Sequence, residues 1–498
     1  MLFSSFAFLF VFLPVVLIGI RILQISGKGR LVLCWLLACS LVFYAQWNIA
    51  YLPLFCGSIC VNYGLSQRIA QSRFAKAWLA TGIACNVLLL TYYKYAGFFE
   101  ETVSSLTGTN HPVSSVIIPL GISFFTFQQI AYLVDVHRKI VEVPRFDCYA
   151  LFVGMFAKIT AGPIVRAKEM IPQLQATLAK RIESPYIAAG IALLAMGLFK
   201  KAILADSLAT IVNIVFTRAA HGAPLSFYEG WSGALGYTLQ IYFDFSGYSD
   251  MALGVAHLCG LRLPQNFNSP YKATGMIDFW RRWHITLSSW LRDYLYFPLG
   301  GNRKGPARKC LNLMITMLLG GMWHGAAWTF VFWGALHGLY LCINHVWRRI
   351  AVKPYLMWKP FAHLLTFFAL VASWVFFRAE SFHAAFGVLE GMIQIQSVHP
   401  AALWEGFMHW ISSGLAMGTM PHWFVRIGWM AALCCILFFL PNSNEIVDRY
   451  ILRQENTERE TPSIALARTL GIGLGVMTFT ALLGIALFHE QEFIYFQF

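Results

Sequence analysis

The chain has 498 residues, of which 58% are hydrophobic and 12% are charged. Soluble domains carry roughly 25% charged residues, and a soluble protein of this size could not cover so many apolar side chains without large exposed patches. The composition therefore excludes an ordinary soluble enzyme, a disordered tail and a secreted disulfide scaffold, and it predicts an integral membrane protein. The net charge of +14 lies in short basic clusters between apolar stretches, which favours a membrane orientation signal over nucleic-acid binding.

Apolar stretches follow one another along most of the chain. A span requires about 20 apolar residues, and on that basis we expect about 11 to 13 membrane segments. The candidates lie near residues 3–22, 31–47, 49–66, 77–98, 115–135, 146–164, 186–216, 231–256, 311–325, 327–346, 361–379, 424–441 and 464–488. No internal repeat or linker interrupts them, so we predict an all-α, polytopic helical bundle forming a single domain over 1–498.

Three of these stretches are irregular. Residues 31–67 carry no charge and predict two short helices with a turn near Trp47 and Asn48. The stretch 146–164 contains an Ala-Gly-Pro break near its end, which is typical of a re-entrant segment. The stretch 186–216 exceeds one span and contains two adjacent lysines, so we expect a tilted or broken helix there.

The distribution of basic residues predicts the orientation. If the N-terminus lies outside, the loop 99–114, which has two glutamates and no Lys or Arg, also lies outside. The basic clusters then fall on the inside, near residues 21–30, 68–76, 138–145, 166–181, 281–309, 348–353 and 449–459. This agreement with the positive-inside rule predicts an outside, periplasmic N-terminus.

Two stretches are predicted to be amphipathic rather than membrane-spanning. Residues 278–296 place apolar side chains at three- and four-residue steps, which predicts one interfacial helix with its Trp rings at headgroup level. The stripe consists of Trp280, Trp283, Leu287, Trp290 and Tyr294. The second stretch, 401–423, is rich in Trp, His and Gly and is predicted on the periplasmic side.

Ionisable residues at membrane depth are expensive, so each is a candidate functional residue. His324 is the most informative, because Gly320 and Gly321 precede it and Gly325 follows it. A neutral imidazole is a suitable general base near pH 7, although a buried histidine that bonds another helix fits the same pattern. The other candidates are Asp244, Asp250, His284, His337 and Arg378. For Asp244 and Asp250, a structural role, in which the carboxylate pairs with an arginine or a backbone N–H, fits the sequence at least as well as a catalytic role. The histidines lack H-x-x-x-H spacing, so no metal site is predicted.

Several long motifs resemble the membrane-bound O-acyltransferase family, in particular its bacterial AlgI-like branch of alginate O-acetyltransferase type. They are PLGISFFTFQQIAYLVDVHR (119–138), AGPIVR (161–166), QIYFDFSGYSDMALG (240–254), LPQNFNSPY (263–271), DFWRRWHITLSSWLRDYLYFPLGGNR (278–303), GGMWHG (320–325) and WVFFRAE (374–380). The resemblance covers most of the chain to about residue 380, with core motifs over about 115–380 and peripheral helices at 1–100 and 424–488. It implies a bundle with a central funnel or tunnel.

The resemblance also implies the chemistry. His324 matches the family's catalytic histidine and would act as the general base, and His284 matches the second histidine of its W-H motif. The acyl donor would be acetyl-CoA, with no further cofactor, and cytoplasmic arginines would attract its phosphates. The phosphate-binding candidates are Arg281, Arg282, Arg292 and Arg303. The proposed substrate-binding or tunnel residues are Arg281, Arg282, Trp283, Trp323, Asp244 and Asn266.

Relatives of this branch pass acetyl groups outward across the bacterial inner membrane. The resemblance therefore implies O-acetylation of an exopolysaccharide such as alginate or cellulose, with a periplasmic SGNH-like acetyltransferase and a polysaccharide synthesis complex as partners. An alternative with the same acyl-transfer chemistry is the modification of peptidoglycan or teichoic acid. A transporter or channel whose buried His and Asp line a solute path is an alternative of another class.

Overall fold

The computed structural model describes residues 2–108, 117–176, 181–350, 359–395, 405, 408, 422–452, 464–487 and 494, and the regular elements in these ranges are helices. The predicted amphipathic segment 401–423 lies almost entirely outside the described residues. The α-helices are α1 (Leu13–Ile25), α2 (Gly29–Ala45), α3 (Leu52–Gln71), α4 (Ala75–Thr107), α5 (Ile122–His137), α6 (Phe146–Gly154), α7 (Phe156–Ile159), α8 (Ala167–Ala176), α9 (Ser184–Phe199), α10 (Asp206–Ala220), α11 (Phe227–Leu258), α12 (Met276–Arg282), α13 (Ile285–Leu291), α14 (Gly305–His324), α15 (Trp328–Ile350), α16 (Lys359–Arg378), α17 (Phe382–Ile393), α18 (His422–Phe439), α19 (Ser443–Val447) and α20 (Ile464–Leu487).

Five helical stretches among the described residues are long and apolar enough to cross a membrane, and a bent pair near the C-terminus makes a sixth if it is one span. The five are Phe8–Ile25, Ile49–Gln71, Ala75–Thr107, Ser184–Ala220 and Lys359–Arg378. The all-helical membrane architecture predicted from composition is therefore confirmed. The total of 11 to 13 membrane segments stays a prediction.

The outer surface of the bundle is apolar. In α1 and the turn before it, Val11, Val15 and Ile18 are exposed, whereas Val16 and Ile20 are fully covered by protein. A helix that is apolar on both faces is suited to a bilayer, because lipid chains cover the face that protein does not. The exposed side chains of α1 therefore mark a lipid-facing surface.

The three irregular stretches in the first half of the chain all depart from a regular α-helix, although not in every case at the predicted place. The turn in 31–67 falls between α2 and α3, where the Asn48 side chain accepts a hydrogen bond from the Ala50 amide at 3.0 Å. The stretch 146–164 is interrupted at Met155, between α6 and α7, and α7 ends at Ile159, before the predicted Ala-Gly-Pro break. A re-entrant path for this stretch stays a prediction. The long stretch 184–220 is one helical run that contains a π-helical turn at Lys200–Ala205.

Helix α11 forms the centre of the bundle, and almost all of its residues are buried. Gly247 lies within this helix and does not interrupt it. Instead, a Cβ at Gly254 would lie 2.6 Å from the Gly190 carbonyl oxygen, and one at Gly197 would lie 2.6 Å from the Gly247 oxygen. The glycines allow α9 and α11 to pack backbone against backbone, as small residues do between membrane helices.

The prediction of one interfacial helix over 278–296 is wrong. The helix is interrupted after Arg282, because Trp283 is extended and His284 has a φ of 42°. The three Trp side chains of the stretch are buried within the protein rather than placed at headgroup level. Apolar periodicity predicted the buried stripe correctly, but it could not distinguish neighbouring protein from lipid as the medium that covers it.

Helices α14 and α15 form a tightly packed hairpin. A Cβ at Gly321 would lie 2.3 Å from the Phe330 carbonyl oxygen, and one at Gly334 would lie 2.4 Å from the Met317 oxygen. Only glycine permits this close approach without displacing backbone atoms. The hairpin places His324, the last residue of α14, at its tip.

Candidate active site

His324 lies at the C-terminal end of α14 inside an aromatic enclosure. Its side chain is 3% exposed. The centroid of its imidazole ring lies 5.1 Å from that of Trp323 and 5.2 Å from those of Trp333 and Phe377. These rings exclude bulk water from the imidazole on several sides, which strengthens any electrostatic interaction formed there.

His284 occupies the break between α12 and α13. Its φ of 42° and ψ of 54° place a non-glycine residue in the left-handed region, which costs on the order of 1–3 kcal/mol. The segment 266–268 restrains this conformation through two backbone hydrogen bonds. The Asn266 carbonyl accepts from the Ile285 amide and the Arg282 carbonyl accepts from the Asn268 amide, both at 2.9 Å. A strained backbone conformation persists only where the surrounding structure enforces it, and such conformations are frequent at functional sites.

Asn266 fixes the orientation of His284. The Asn266 Oδ1 lies 3.1 Å from His284 Nδ1 and accepts a hydrogen bond from Thr286 Oγ1 at 2.9 Å. Thr286 is itself oriented, because its Oγ1 accepts from the Ile164 amide at 3.0 Å. An amide oxygen requires a donor, so this contact places a proton on His284 Nδ1 and selects the tautomer that leaves Nε2 as an acceptor. Asn266, proposed from sequence as a substrate-binding residue, thus contacts His284.

The structure brings the two predicted histidines together. The ring centroids of His284 and His324 are 6.4 Å apart, and the Trp323 ring lies 6.1 Å from that of His284. A single reacting atom at hydrogen-bond distance, about 3 Å, from a nitrogen of each ring fits this separation. The pair can therefore act on one bond from two sides, with one ring removing a proton and the other contacting developing charge.

Lys94 and Tyr95 of α4 contact the end of α14, and sequence reasoning did not single them out. Lys94 Nζ donates to the carbonyl oxygens of Trp323 at 2.6 Å and His324 at 2.9 Å. The Tyr95 hydroxyl donates to the Met322 carbonyl at 2.6 Å. A signal was present in the sequence, because Lys94 is an ionisable residue within the stretch 77–98, which was predicted to span the membrane.

A cavity of about 260 Å³ opens beside His324, and we call it the His324 cavity. Its wall is mainly aliphatic and aromatic. It is lined by Trp47, Lys94, Ile117, Ile118, Pro119, Leu120, Gly121, Ile122, Ser123, Phe124, Thr160, Trp323 and His324. An acyl acceptor that reached His324 through this cavity would be separated from bulk water by its apolar wall.

A second cavity, of about 620 Å³, is basic, and we call it the basic cavity. Its lining includes four cationic side chains and two carboxylates. It is lined by Asp135, Arg138, Ile140, Arg166, Lys168, Asp293, Tyr294, Phe297, Pro298, Gly300, Gly301, Asn302 and Arg303. An excess of positive charge in a cavity favours an anionic ligand, and arginine suits phosphate groups in particular.

The carboxylates of the basic cavity are paired. Asp293 accepts from Arg166 at 2.5 Å and from Arg292 at 2.7 Å. Burial acts to raise the pKa of Asp293, but the hydrogen bonds from Arg292 and Arg166 outweigh burial and hold its pKa below the usual value. Asp135 accepts from the Tyr294 hydroxyl at 2.8 Å. Of the arginines that line the cavity, Arg166 is held in place by this pairing.

The two cavities lie at opposite ends of α5, and a ladder of four aromatic rings runs between them. Trp323, in the His324 cavity, lies 5.2 Å from Phe127, measured between ring centroids. Phe127 stacks on Trp290 at 3.8 Å, and Trp290 lies 5.5 Å from Tyr294, which lines the basic cavity. The ladder connects the histidine pair with the basic cavity through a flat, apolar wall.

Besides Asn266, which contacts His284, four other residues proposed as substrate-binding do not line either of these cavities. Arg282 pairs with Asp278 at 3.0 Å, and Asp244 pairs with Lys201 at 2.9 Å. The remaining two are Arg281 and Trp283. Of the arginines suggested for phosphate binding, Arg303 lines the basic cavity, where Arg138, Arg166 and Lys168 join it from elsewhere in the chain.

His337, which the sequence also indicated as a candidate, is held in a structural network. Its Nδ1 accepts from the Trp280 indole at 3.2 Å, and its Nε2 lies 3.0 Å from Ser373 Oγ. Both ring nitrogens are therefore engaged by neighbouring helices. The described part of the chain contains no group of three or more His, Cys, Asp or Glu side chains that could hold a metal ion.

Comparisons with known proteins show what the chain is similar to. The model of the membrane-bound O-acyltransferase family matches residues 136–383. The chain is 38% identical over 479 residues to the peptidoglycan O-acetyltransferase of Helicobacter pylori, covering 90% of both chains. It is 39% identical over 429 residues to the probable alginate O-acetylase AlgI of Pseudomonas aeruginosa, covering 84% of this chain and 79% of the relative.

A more distant similarity covers about half of the chain. The teichoic acid D-alanyltransferase of Bacillus subtilis is 26% identical over 290 residues, which is 55% of this chain and 72% of the relative. The matched family region 136–383 includes His284, His324 and the residues that orient His284. The histidine pair thus lies within the part of the chain that the family model describes.

Proposed function

Because the chain belongs to the membrane-bound O-acyltransferase family and is an acyltransferase, we propose that it moves an acetyl group from cytoplasmic acetyl-CoA across the inner membrane for O-acetylation of an extracytoplasmic polymer. One observation carries the proposal. His284 and His324 lie 6.4 Å apart, His324 lines the His324 cavity, and the aromatic ladder connects the adjacent Trp323 with the basic cavity.

The basic cavity is the proposed donor site. Arg138, Arg166, Lys168 and Arg303 supply the positive charge that the phosphates of acetyl-CoA require. The clusters 138–145 and 166–181 are predicted to face the cytoplasm by the positive-inside rule, which is where acetyl-CoA is made. The acylated thiol arm would extend along the aromatic ladder toward the histidine pair.

The chemical step requires one base and one group that stabilises charge. His324 takes the proton of the acceptor hydroxyl as its oxygen attacks the thioester carbonyl carbon. The carbon–sulfur bond then breaks, the acetyl group stays on the acceptor oxygen, and the CoA thiolate leaves and recovers the proton. His284, oriented by Asn266, contacts the oxyanion or the thioester during the attack.

The acceptor enters from the opposite side, through the His324 cavity. We infer that the final polymer is an exopolysaccharide, alginate- or cellulose-like, and that a separate periplasmic SGNH-like acetyltransferase within a polysaccharide synthesis complex completes the transfer. This follows the resemblance to alginate O-acetylases. Deletion of that partner should abolish acetylation of the polymer, and persistent acetylation would contradict this part of the proposal.

Peptidoglycan is the second candidate polymer. The similarity to the Helicobacter pylori peptidoglycan O-acetyltransferase spans 90% of both chains, which is more than the alginate O-acetylase match covers. The two candidates share the donor and the chemistry and differ in the acceptor. Analysis of O-acetyl groups on the wall and on secreted polymer in a deletion strain would distinguish them.

The decisive experiment reconstitutes the purified protein in liposomes with labelled acetyl-CoA outside and the candidate acceptor supplied. Thioester consumption is followed for wild type and for His324→Ala, with melting temperature as the test of folding. We expect loss of the base to lower turnover by about 10²–10⁴-fold. Equal turnover by the two proteins would overturn the assignment of His324. Solute flux without thioester consumption would favour a transporter instead.

A further inference from the structure

Lys94 is an ionisable residue at membrane depth that the proposed chemistry does not use. It lies in α4 and is 8% exposed. The body of α4 packs against α3 and α5. Keeping such a residue in the membrane is costly, so its partners indicate its role. Those partners are backbone carbonyl oxygens at the end of α14, those of Trp323 and His324.

The end of α14 requires such partners. The last four carbonyl groups of a helix have no partner within the helix, and they carry a partial negative charge. In α14, three successive carbonyls, those of residues 322, 323 and 324, accept hydrogen bonds from Tyr95 and Lys94. A lysine is suited to this position, because its three N–H donors can serve several carbonyls at once.

We propose that Lys94 and Tyr95 act as a positioning clamp for His324, an inference that rests on the proposed function. The backbone carbonyl of His324 accepts a hydrogen bond from Lys94, and its side chain carries the catalytic imidazole. By holding this backbone, the clamp fixes the position from which the imidazole extends. Gly325 directly after His324 has no side chain to hold the helix end, and its backbone lies against the Phe330 ring, where an added Cβ would be 2.1 Å away. Without the clamp, α14 would retain its packing on α15, but its last turn would be free to shift.

Small displacements of a catalytic group have large effects on rate. A misplacement of about 1 Å can lower the rate about 10²-fold. The clamp should therefore affect the chemical step and not donor binding, because the basic cavity lies at the other end of α5 and does not include Lys94. If Lys94 instead bound the acceptor in the His324 cavity, its loss would raise the KM for the acceptor.

The experiment compares Lys94→Met and Tyr95→Phe in the reconstituted enzyme, with kcat and both KM values as readouts. Lys94→Met keeps the length of the side chain and removes both hydrogen bonds, and we expect kcat to fall about 10²-fold with each KM within about threefold of wild type. Tyr95→Phe removes a single hydrogen bond, and we expect kcat to fall about fivefold.

Asn86→Leu is the matched control. Asn86 also lies buried in α4 and bonds a neighbouring helix, through its Nδ2 to Asn62 Oδ1 at 2.7 Å. It makes no contact with α14 among the hydrogen bonds of the described residues. We expect this variant to lose thermal stability but to retain kcat within about threefold. An equal fall of kcat in Asn86→Leu and Lys94→Met would assign the effect to general packing of α4 and overturn the proposal.

His324→Ala in the same series separates the two proposals. If His324→Ala retains turnover, the proposed function fails. If His324→Ala is inactive and Lys94→Met keeps wild-type kcat, only the clamp is wrong. Should Lys94→Met fail to fold, Tyr95→Phe decides, because it is nearly isosteric: a wild-type kcat then overturns the clamp. A raised acceptor KM with unchanged kcat in Lys94→Met overturns it as well, in favour of acceptor binding.

Discussion

The imidazole rings of His284 and His324 lie 6.4 Å apart in the membrane-embedded protein, although His284 precedes α13 and His324 ends α14. Neither ring projects from the middle of a regular helix. His284 sits in a left-handed break, and His324 ends α14 at the tip of a hairpin. Both positions depend on contacts from distant parts of the chain, so the site is maintained by its supports as much as by the two rings.

The first prediction concerns the support of His284. Asn266→Leu removes the acceptor that holds His284 Nδ1 and leaves the Thr286 hydroxyl without that partner. Loss of two such hydrogen bonds should lower kcat about 10- to 100-fold, with an unchanged KM for acetyl-CoA. Steady-state kinetics of the purified variant in proteoliposomes would measure both values.

Ser249→Ala is the control for Asn266→Leu. Ser249 Oγ lies 3.4 Å from the other end of the same amide, Asn266 Nδ2, and does not contact the imidazole of His284 among the hydrogen bonds of the described residues. We expect its kcat to stay within about threefold of wild type. If both variants lose the same activity, Asn266 acts through local packing and not through the tautomer of His284.

The second prediction concerns the proposed donor site. Arg138→Gln with Arg303→Gln removes two cations that line the basic cavity. We expect the KM for acetyl-CoA to rise about tenfold or more, since each lost charge-assisted hydrogen bond is worth about 1.5–3 kcal/mol in affinity when fully formed. The kcat should hold, because both residues are remote from the histidine pair. Titrations of acetyl-CoA at two salt concentrations would measure the effect and its screening.

A matched control removes the same charge elsewhere on the basic stretch 281–309. Arg281→Gln with Arg308→Gln changes two exposed arginines, neither of which lines the basic cavity. Its KM for acetyl-CoA should remain close to that of wild type. A similar rise in both double variants would show that only the net surface charge matters, and the basic cavity would lose its assignment as the donor site.

The sequence predicted the membrane fold and the two histidines, but not what surrounds them. His284 and His324 could be identified from the sequence because the family motifs contain them. Asp244 could be identified because a carboxylate at membrane depth is unusual. The break after Trp283 was missed, because no Gly or Pro interrupts the apolar stripe there. Lys94 donates to backbone carbonyl groups, which every residue has, so the residue types at the end of α14 give no indication of this contact.

The lining of the basic cavity was hidden for a related reason. Arg303 was among the phosphate-binding candidates, but Arg138 and Arg166 come from the end of α5 and the segment before α8. Charge counting assigned these two to the inner surface without indicating that they converge. Arg281 and Arg282 belong to the same basic stretch, 281–309, as Arg303, and charge counting alone could not show that they do not line the cavity.

The third prediction concerns the pH dependence of stability at the basic cavity. Burial opposes ionisation of Asp293, but hydrogen bonds from Arg292 and Arg166 leave its pKa below the usual value. A carboxyl whose pKa is lower in the folded state stabilises the protein at pH values above its unfolded pKa, about 3.9. This contribution is lost as pH falls through the folded-state value.

We therefore expect Asp293→Asn to lower the melting temperature at pH 7, and the difference from wild type to shrink as the pH is lowered below about 4. Arg292→Gln, which removes one of the two partners, should give a smaller loss at pH 7. Thermal unfolding of both variants in detergent over pH 3–7 would test this. A difference between Asp293→Asn and wild type that stays constant across this range would contradict the role of the ionised carboxylate.

The last prediction concerns the ion pair between α11 and the π-helical turn. Lys200 Nζ lies 2.7 Å from Asp250 Oδ2, and Asp250 also accepts from the Ser443 hydroxyl and from Asn444 Nδ2 at 3.2 Å. Asp250→Asn removes the charge that compensates Lys200 in a buried position. Breaking such a pair costs about 3–5 kcal/mol of stability, so the melting temperature should fall clearly.

The same change should leave the chemistry intact, because Asp250 contacts neither histidine of the site among the described interactions. We expect kcat per folded molecule to remain within about threefold of wild type. Replacing both partners, with Lys200→Met and Asp250→Leu, should recover most of the stability, because a well-packed apolar pair is often as stable as a buried ion pair. If Asp250→Asn instead folds normally and loses turnover, the intramembrane carboxylate belongs to the reaction path, and the structural assignment of this pair is wrong.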